Sequence, residues 1–409
     1  MKKLSLSTLF LTVFIDMLGI GIAIPITTPL ILNPANAMLP LDWSDANRTI
    51  LLGWLIASFS IAAFFGGPIL GALSDKHGRK KILSLSLIGT LLGYILFAIG
   101  IMEKNIFLLF ASRILDGFSA GNITCVQSAI ADVSKDAATK ARNFGILGMA
   151  FGLGFILGPY IGAKLADASI VSWFTYQIPF YFAALLSLIN FVQVQFYFHE
   201  TLDKPITRPI SLTTGISNLY HAFNDKQLRW MFITFFLYYL GFNFYTQFFT
   251  VFLFKKLHFS ISDIGNYMAY VGFLVATAQG LIVRRLAGKY SNQTIIYYAL
   301  FGLSIALFLT IFPTHWWQLI IITPLMALCQ GSASANVTTI VSMSSNEQGK
   351  ILGLNSSIVA ASAALPPLLA GYFDAINIHL PLIISSILVF SAWYLFTVKL
   401  KQKLTTASH

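Results

Sequence analysis

Apolar runs about twenty residues long recur from one end of this chain to the other, separated by short polar turns, and they restrict the fold more than any other feature. A helix of that length crosses a hydrocarbon layer of about 30 Å. About twelve such runs are visible, near 5–31, 50–71, 82–101, 106–131, 142–166, 174–198, 229–254, 263–284, 293–312, 316–340, 350–373 and 378–398. Inside lipid every backbone N–H and C=O must be bonded within the protein, so each run is predicted to be a helix. Charged residues are only 10% of the 409, against roughly 25% in a soluble domain, which excludes a soluble fold. The predicted architecture is an all-α membrane protein with twelve transmembrane helices in two pseudo-symmetric six-helix bundles. The bundles are 1–198 and 229–409, the second ending in a short basic tail, and a polar linker over 199–228 joins them. Lys2 and Lys3 precede the first run as in a signal peptide, but the run is too long and carries Asp16, so it is expected to be retained.

The net charge of +11 does not imply nucleic acid. The bases gather on alternate turns, with Lys2, Lys3, the 71–81 turn, Arg142, the linker, Arg284, Arg285, Lys289 and Lys350 on one side and little beyond Arg48, Lys104, Lys164, Lys255 and Lys256 on the other. That bias puts both termini in the cytoplasm. Cys125 and Cys329 fall inside predicted helices and read as small apolar residues. The histidines fall in turns or at helix ends, so no metal site is expected. No Walker-type phosphate loop is present, and no cofactor is expected beyond an ion gradient.

The halves look like copies of one unit. Ala141–Lys164 lines up without a gap on Gly349–Tyr372, setting Gly145 on Gly353 and Pro159 on Pro367. Asp116 to Thr124 likewise matches Gln330 to Thr338. Their chemistry differs: Asp16 corresponds to Tyr238, Arg113 to Ala327, Asp116 to Gln330 and Asp132 to Asn346. Intramembrane charge is expected in the first half alone.

A charge at mid-bilayer costs at least about 2.5–3.5 kcal/mol, so Asp16, Arg113 and Asp116 need compensation. Arg113 and Asp116 are three apart on one helical face and can pair. Ala120, Thr124 and Gln127 continue a polar stripe on that face, and Asn122 and Gln127 are candidates to line the substrate cavity. Such a pair could merely neutralise itself; two acids against one base instead leave Asp16 free to take up and release a proton. The fifth helix carries Gly148, Gly152, Gly154, Gly158, Pro159 and Gly162, expected to act together in close packing and as a hinge. The seventh is crowded with aromatics. Most would face lipid, while Tyr238, Asn243, Tyr245 and Gln247, with Tyr270, Gln279, Gln330 and Asn336, are candidates to line a neutral substrate cavity. At the 71–81 turn, Gly71 and Gly78 allow two helices to approach, and Asp75 and Arg79 can bridge to neighbouring helix ends.

The Gly-x-Leu-x-Asp-x-x-Gly-Arg spacing at 71–79 resembles the signature loop of the major facilitator superfamily, and Gly154-x-x-x-Gly158-Pro159-x-x-Gly162 resembles the motif of its antiporter branch. With Phe14 to Gly21, Arg113, Gly117, Gly121, Ala131-Asp132 and Glu347 to Lys350, the chain is similar to the tetracycline-resistance subgroup of drug:proton antiporters. The resemblance implies a multi-pass, monomeric transporter of the bacterial inner membrane, with a small-molecule substrate and protons as its partners. It assigns Asp75, Arg79 and Asp132 to a gate latch, Asp16 to a substrate–proton cavity and Arg113 to coupling. The chain departs from that subgroup at Gly93, where a helix-3 acid is expected, at Asp116, where a small residue is expected, and in having no acid over 293–312.

The favoured expectation is a proton-coupled exporter of an amphipathic organic solute, working by alternating access of the two halves. Two alternatives stand beside it. One is an importer of an organic anion, such as a carboxylate metabolite or an iron-chelating siderophore, with Arg113 as ligand. The other is a non-transporting membrane receptor. An enzyme is not expected, since the longest soluble stretch is the linker.

Overall fold

The computed structural model describes residues 2–134, 137–202, 213–226, 228–287, 289–344 and 348–400. Much of the linker, Asn346, Glu347 and the basic tail lie outside the described residues, as does the side chain of Lys350. No strand occurs among the described residues. The long helices are α1 (Lys2–Leu32), α2 (Asp45–His77), α3 (Arg79–Met102), α4 (Ile106–Ser119), α5 (Ile123–Val133), α6 (Ala137–Leu165) and α7 (Ile178–Tyr197). After a short amphipathic helix, α8 (Thr214–Asn224), come α9 (Arg229–Leu257), α10 (Ile261–Thr277), α11 (Arg284–Ala287), α12 (Asn292–Leu309), α13 (Trp316–Met343), α14 (Gln348–Ile376) and α15 (Leu380–Leu395).

Eleven stretches of the described residues are long and apolar enough to cross a membrane. The seventh predicted run, α9, falls outside that set although its 29 residues extend about 43 Å. Its tyrosines, Trp230, Asn243 and Gln247 depress its hydropathy; its length is ample. The fourth run is one span built from two α-helices, because a 3₁₀ turn over Ala120–Asn122 separates α4 from α5. A continuous helix was the expectation there. A π-helical segment, Ala278–Val283, similarly interrupts the eighth run between α10 and α11.

The chain forms two compact units. The first contains residues 1–48, 55–214 and 259–269, and the second contains 49–54, 215–258 and 270–409. In the first, α1 packs on α6 and α7, and α3 packs on α4 and α7. Leu9, Val13, Met17, Leu83, Leu87, Val126, Ile130, Leu147, Val194 and Phe198 fill one core among these helices. α2 and α4 meet backbone to backbone: a Cβ added at Gly66 would lie 2.9 Å from Phe118 Cα, and one at Gly121 would lie 2.5 Å from Gly67 N. In the second unit α9 is central, lying against α14 and α15, while α12 packs on α13 and α15. Tyr238, Phe244, Tyr245, Phe248, Phe249 and Phe252 of α9 are all buried, so these rings are core and not lipid contacts. The sequence expectation of a lipid-facing majority fails because a central helix has neighbours on several sides, and large rings fill the space between them.

Candidate functional site

Two helices of the first unit, α1 and α4, carry its intramembrane charges Asp16, Arg113 and Asp116. Asp16 on α1 is 6% exposed; its Oδ2 accepts from Asn122 Nδ2 at 2.9 Å, while Oδ1 is buried with no hydrogen-bond partner. The 3₁₀ turn sets Asn122 facing α1. Arg113 and Asp116, both buried, form an ion pair with Nη2 to Oδ2 at 3.1 Å. The contact is not aligned as a hydrogen bond, since both atoms lack a hydrogen-bonded partner. The guanidinium instead lies 4.7 Å from the ring centre of Phe97 on α3 and 5.6 Å from that of Phe59 on α2. Two aromatic faces and a carboxylate therefore hold one arginine. Among the described residues Asp16 has no cationic partner at hydrogen-bond distance, and its anchor, Asn122, is neutral.

The polar stripe expected after Asp116 does not run on one face. Thr124 donates to Gly67 O on α2 at 2.9 Å and to Gly121 O at 2.8 Å, and Gln127 is half-buried further along. The 3₁₀ turn shifts the helical phase, so residues before and after it do not line up as a continuous α-helix would place them.

The 71–79 motif closes around Arg79. Its Nη1 lies 2.6 Å from Asp75 Oδ1 and donates to Ser74 Oγ at 2.6 Å, and its Nε lies 3.2 Å from Asp132 Oδ2. Gly78 has φ +98°, a left-handed value that suits glycine. Sequence reasoning missed Glu200, just beyond α7. Its carboxylate accepts from the backbone N–H of Arg79 at 2.9 Å and of Lys80 at 3.1 Å, capping α3 from a distant point in the chain. Thr201 adds a hydroxyl to Asp132 at 3.3 Å. Gly71 lets Thr124 come close: a Cβ there would lie 3.3 Å from Thr124 Oγ1.

The glycines of α6 divide into two groups. A Cβ at Gly154 would lie 2.6 Å from Met17 Cβ, one at Gly158 2.5 Å from Leu18 O, and one at Gly162 2.7 Å from Ile22 O. These three, spaced by four, are the contact with α1. Pro159 packs beside Gly21. Gly148 and Gly152 meet nothing within 4 Å and are exposed, which corrects the expectation that all five glycines pack together. Gly152 precedes Gly154 by two residues, about 200° around the helix, and so points the other way.

In the second unit, fully buried Tyr238 donates to Gln330 on α13 at 2.9 Å. Gln247 donates to Ala363 O on α14 at 2.9 Å, and Asn243 to Tyr239 O at 2.8 Å within α9. Tyr270 donates to Ile320 O at 3.0 Å, and Gln279 is exposed on the π-helical segment. Two further cavity candidates are buried: the Tyr245 ring lies against Phe249, and Asn336 donates to Ser332 O of its own helix. The expectation of a charge-free second half also needs correction. Lys255 near the end of α9 pairs with Asp374 near the end of α14 at 2.6 Å and donates to Thr49 Oγ1 at 2.6 Å, with Asp374 and Thr49 both buried. In the sequence both charges read as turn residues because they fall at the ends of their runs.

No group of histidine, cysteine and acidic residues suited to a metal occurs among the described residues.

A profile of the Major Facilitator Superfamily matches residues 9–365. The chain is 28% identical over 383 residues to tetracycline resistance protein, class H, of Pasteurella multocida, covering 92% of this chain and 90% of that protein. It is 29% identical over 381 residues to quinolone resistance protein NorA of Staphylococcus aureus, covering 91% of each. Among solved structures, the human organic anion transporter MFSD10 superposes with a TM-score of 0.73 at 22% identity, covering 97% of this chain and 99% of that one. The POT family transporter PepTSo superposes with a TM-score of 0.72 at 11% identity, over 96% and 97%. The fold is thus the twelve-helix arrangement of these transporters, in a multi-pass membrane protein that carries a small-molecule substrate. By its matched length and its helical architecture, the chain belongs to the Major Facilitator Superfamily.

Proposed function

We propose that this transporter is a proton-coupled exporter of amphipathic, ring-bearing organic compounds. It would reside as a monomer in a bacterial inner membrane with both termini cytoplasmic. The observation that carries the reading is Asp16: a buried carboxylate with one oxygen held by Asn122, the other unpartnered, and an Arg113–Asp116 pair close by. An acid whose charge is not cancelled by a fixed cation can change its protonation when access alternates. Moving one charge down about 100 mV supplies about 2.3 kcal/mol, enough for roughly a fifty-fold gradient. The named activities of the tetracycline and quinolone resistance relatives support a drug-like cargo. The Arg79 cluster would serve as a latch made in one state and released in the other. Anion import through Arg113 is disfavoured, because that guanidinium is already engaged by Asp116, Phe59 and Phe97.

In inside-out vesicles energised with a proton gradient, Asp16→Asn is expected to abolish uphill accumulation of a fluorescent amphipathic cation while leaving gradient-free exchange intact. Wild-type dependence on the gradient in that variant would overturn the proposal.

A further inference from the structure

Tyr94 on α3 is 2% exposed, and its hydroxyl has no hydrogen-bond partner. It stands where three helices meet. A Cβ added at Gly19 of α1 would lie 2.8 Å from Tyr94 Cζ, so the ring end rests on the α1 backbone one turn past Asp16. The residue before it, Gly93, lets α4 come so close that a Cβ there would lie 2.9 Å from Asp116 Cβ and 3.3 Å from its Cα. The Tyr94 ring thus stands beside the Asp16 turn of α1, and its neighbour Gly93 stands against Asp116 of α4. The charges of Asp116, Arg113 and Asp16 all act on its hydroxyl. α7, which also packs on α3, contributes no charged side chain over Ile178–Tyr197.

We propose that Tyr94 relays the proton between Asp16 and Asp116. The inference rests on the proton-coupled reading above. A phenol hydroxyl both accepts and donates, so it can pass a proton between the two carboxylates when helix movement brings each within hydrogen-bond reach of it. In the step, protonated Asp16 gives its proton to the Tyr94 oxygen as the phenol proton passes to the Asp116 carboxylate. One O–H breaks and one forms at the tyrosine, which ends neutral; Asp16 ends ionised and Asp116 neutral. Neutralising Asp116 removes the charge that pairs with Arg113 and frees that guanidinium to shift with the next movement of α4. Asn122 keeps one Asp16 oxygen occupied, leaving Oδ1 for the exchange. Tyr94 is a relay residue here and touches no substrate.

The test uses the full chain in liposomes with ethidium as cargo and pyranine trapped inside as the proton reporter. If wild-type protein moves ethidium uphill with a matching proton flux, Tyr94→Phe is expected to reduce uphill accumulation at least about tenfold. Ethidium exchange without a gradient should stay within about twofold. Difluorotyrosine at position 94 keeps the ring and makes the phenol more acidic, so it should move the alkaline limb of the pH profile toward acid; this arm stands if the phenylalanine variant fails to fold. Uphill flux and pH profile unchanged in both variants, against a coupled wild type, would overturn the relay alone. Wild-type ethidium transport with no proton flux would overturn the coupled reading itself, and the relay with it.

Discussion

Replacing Gly158 with alanine and Gly152 with alanine should separate two positions that sequence treats alike. At Gly158 the new Cβ would meet Leu18 O at 2.5 Å, Gly21 Cα at 2.9 Å and Gly21 C at 3.2 Å. All three are backbone atoms of α1, so no side chain can swing aside and the helix itself must move. Overpacking of this kind costs about 1–3 kcal/mol. At Gly152 nothing lies within 4 Å. Both variants gain the same helix propensity, about 0.8–1.0 kcal/mol, so the gain cancels in the comparison and the difference isolates the steric strain. With about 2.1 cal/mol/K per residue, a chain of 409 residues unfolds with an entropy of roughly 0.9 kcal/mol/K. The two melting temperatures should therefore differ by about 1–3 °C, with Gly158→Ala the lower. Thermal unfolding of the purified protein, followed by tryptophan fluorescence, reads the difference directly. Equal melting temperatures, or a lower value for Gly152→Ala, would refute the assignment of the two faces.

Two further outcomes follow from charges at the ends of the spans. Lys255→Met strands Asp374 in a buried position, at a cost of about 3–5 kcal/mol, whereas the double change Lys255→Met with Asp374→Leu should recover most of the loss in the same melting assay; equal losses in the single and double variants would show that the pair is inert. Asp167 accepts from Ser262, from Ser169 Oγ at 2.6 Å and from Ser169 N at 2.9 Å, and these donors hold its carboxyl below the usual value. Its contribution is therefore complete above the unfolded carboxylate range near pH 4 and fades as pH falls through the lower folded value. Unfolding rates at pH 6 and pH 3 should differ more for wild type than for Asp167→Asn, and identical pH dependence would contradict this.

The spans were legible because hydrophobic length is a property of consecutive residues, and lipid leaves a backbone little choice. The 71–79 motif and Asp16 were legible because charge in or beside an apolar run is rare. What escaped depends on which helices touch. Tyr94 is one aromatic among many in an apolar run, and only its contact with Gly19 of α1 and the approach of its neighbour Gly93 to α4 distinguish it. Glu200 lies more than a hundred residues from the helix end that it caps. Gly152 and Gly154 differ only in direction around α6, which the Gly-x-x-x-Gly spacing does not encode once two such stripes overlap. The α9 rings misled because an aromatic helix in a membrane protein can face lipid or core, and its place at the centre of the second unit is a tertiary fact.

The 3₁₀ turn at Ala120–Asn122 makes the fourth span two levers on one knuckle. A 3₁₀ residue advances about 120° and 2.0 Å where an α residue advances 100° and 1.5 Å, so three of them swing α5 by about 60° relative to a straight continuation. On a helix of radius about 6 Å that swing carries a side chain roughly 6 Å around the axis. Asp116 rides on the first lever and Asp132, bound to Arg79, on the second. Rewinding these three residues into plain α-helix would carry Asp132 out of reach of Arg79 while leaving Asp116 where it stands. The Arg113–Asp116 pair and the Arg79 cluster thus sit on the two arms of one turn.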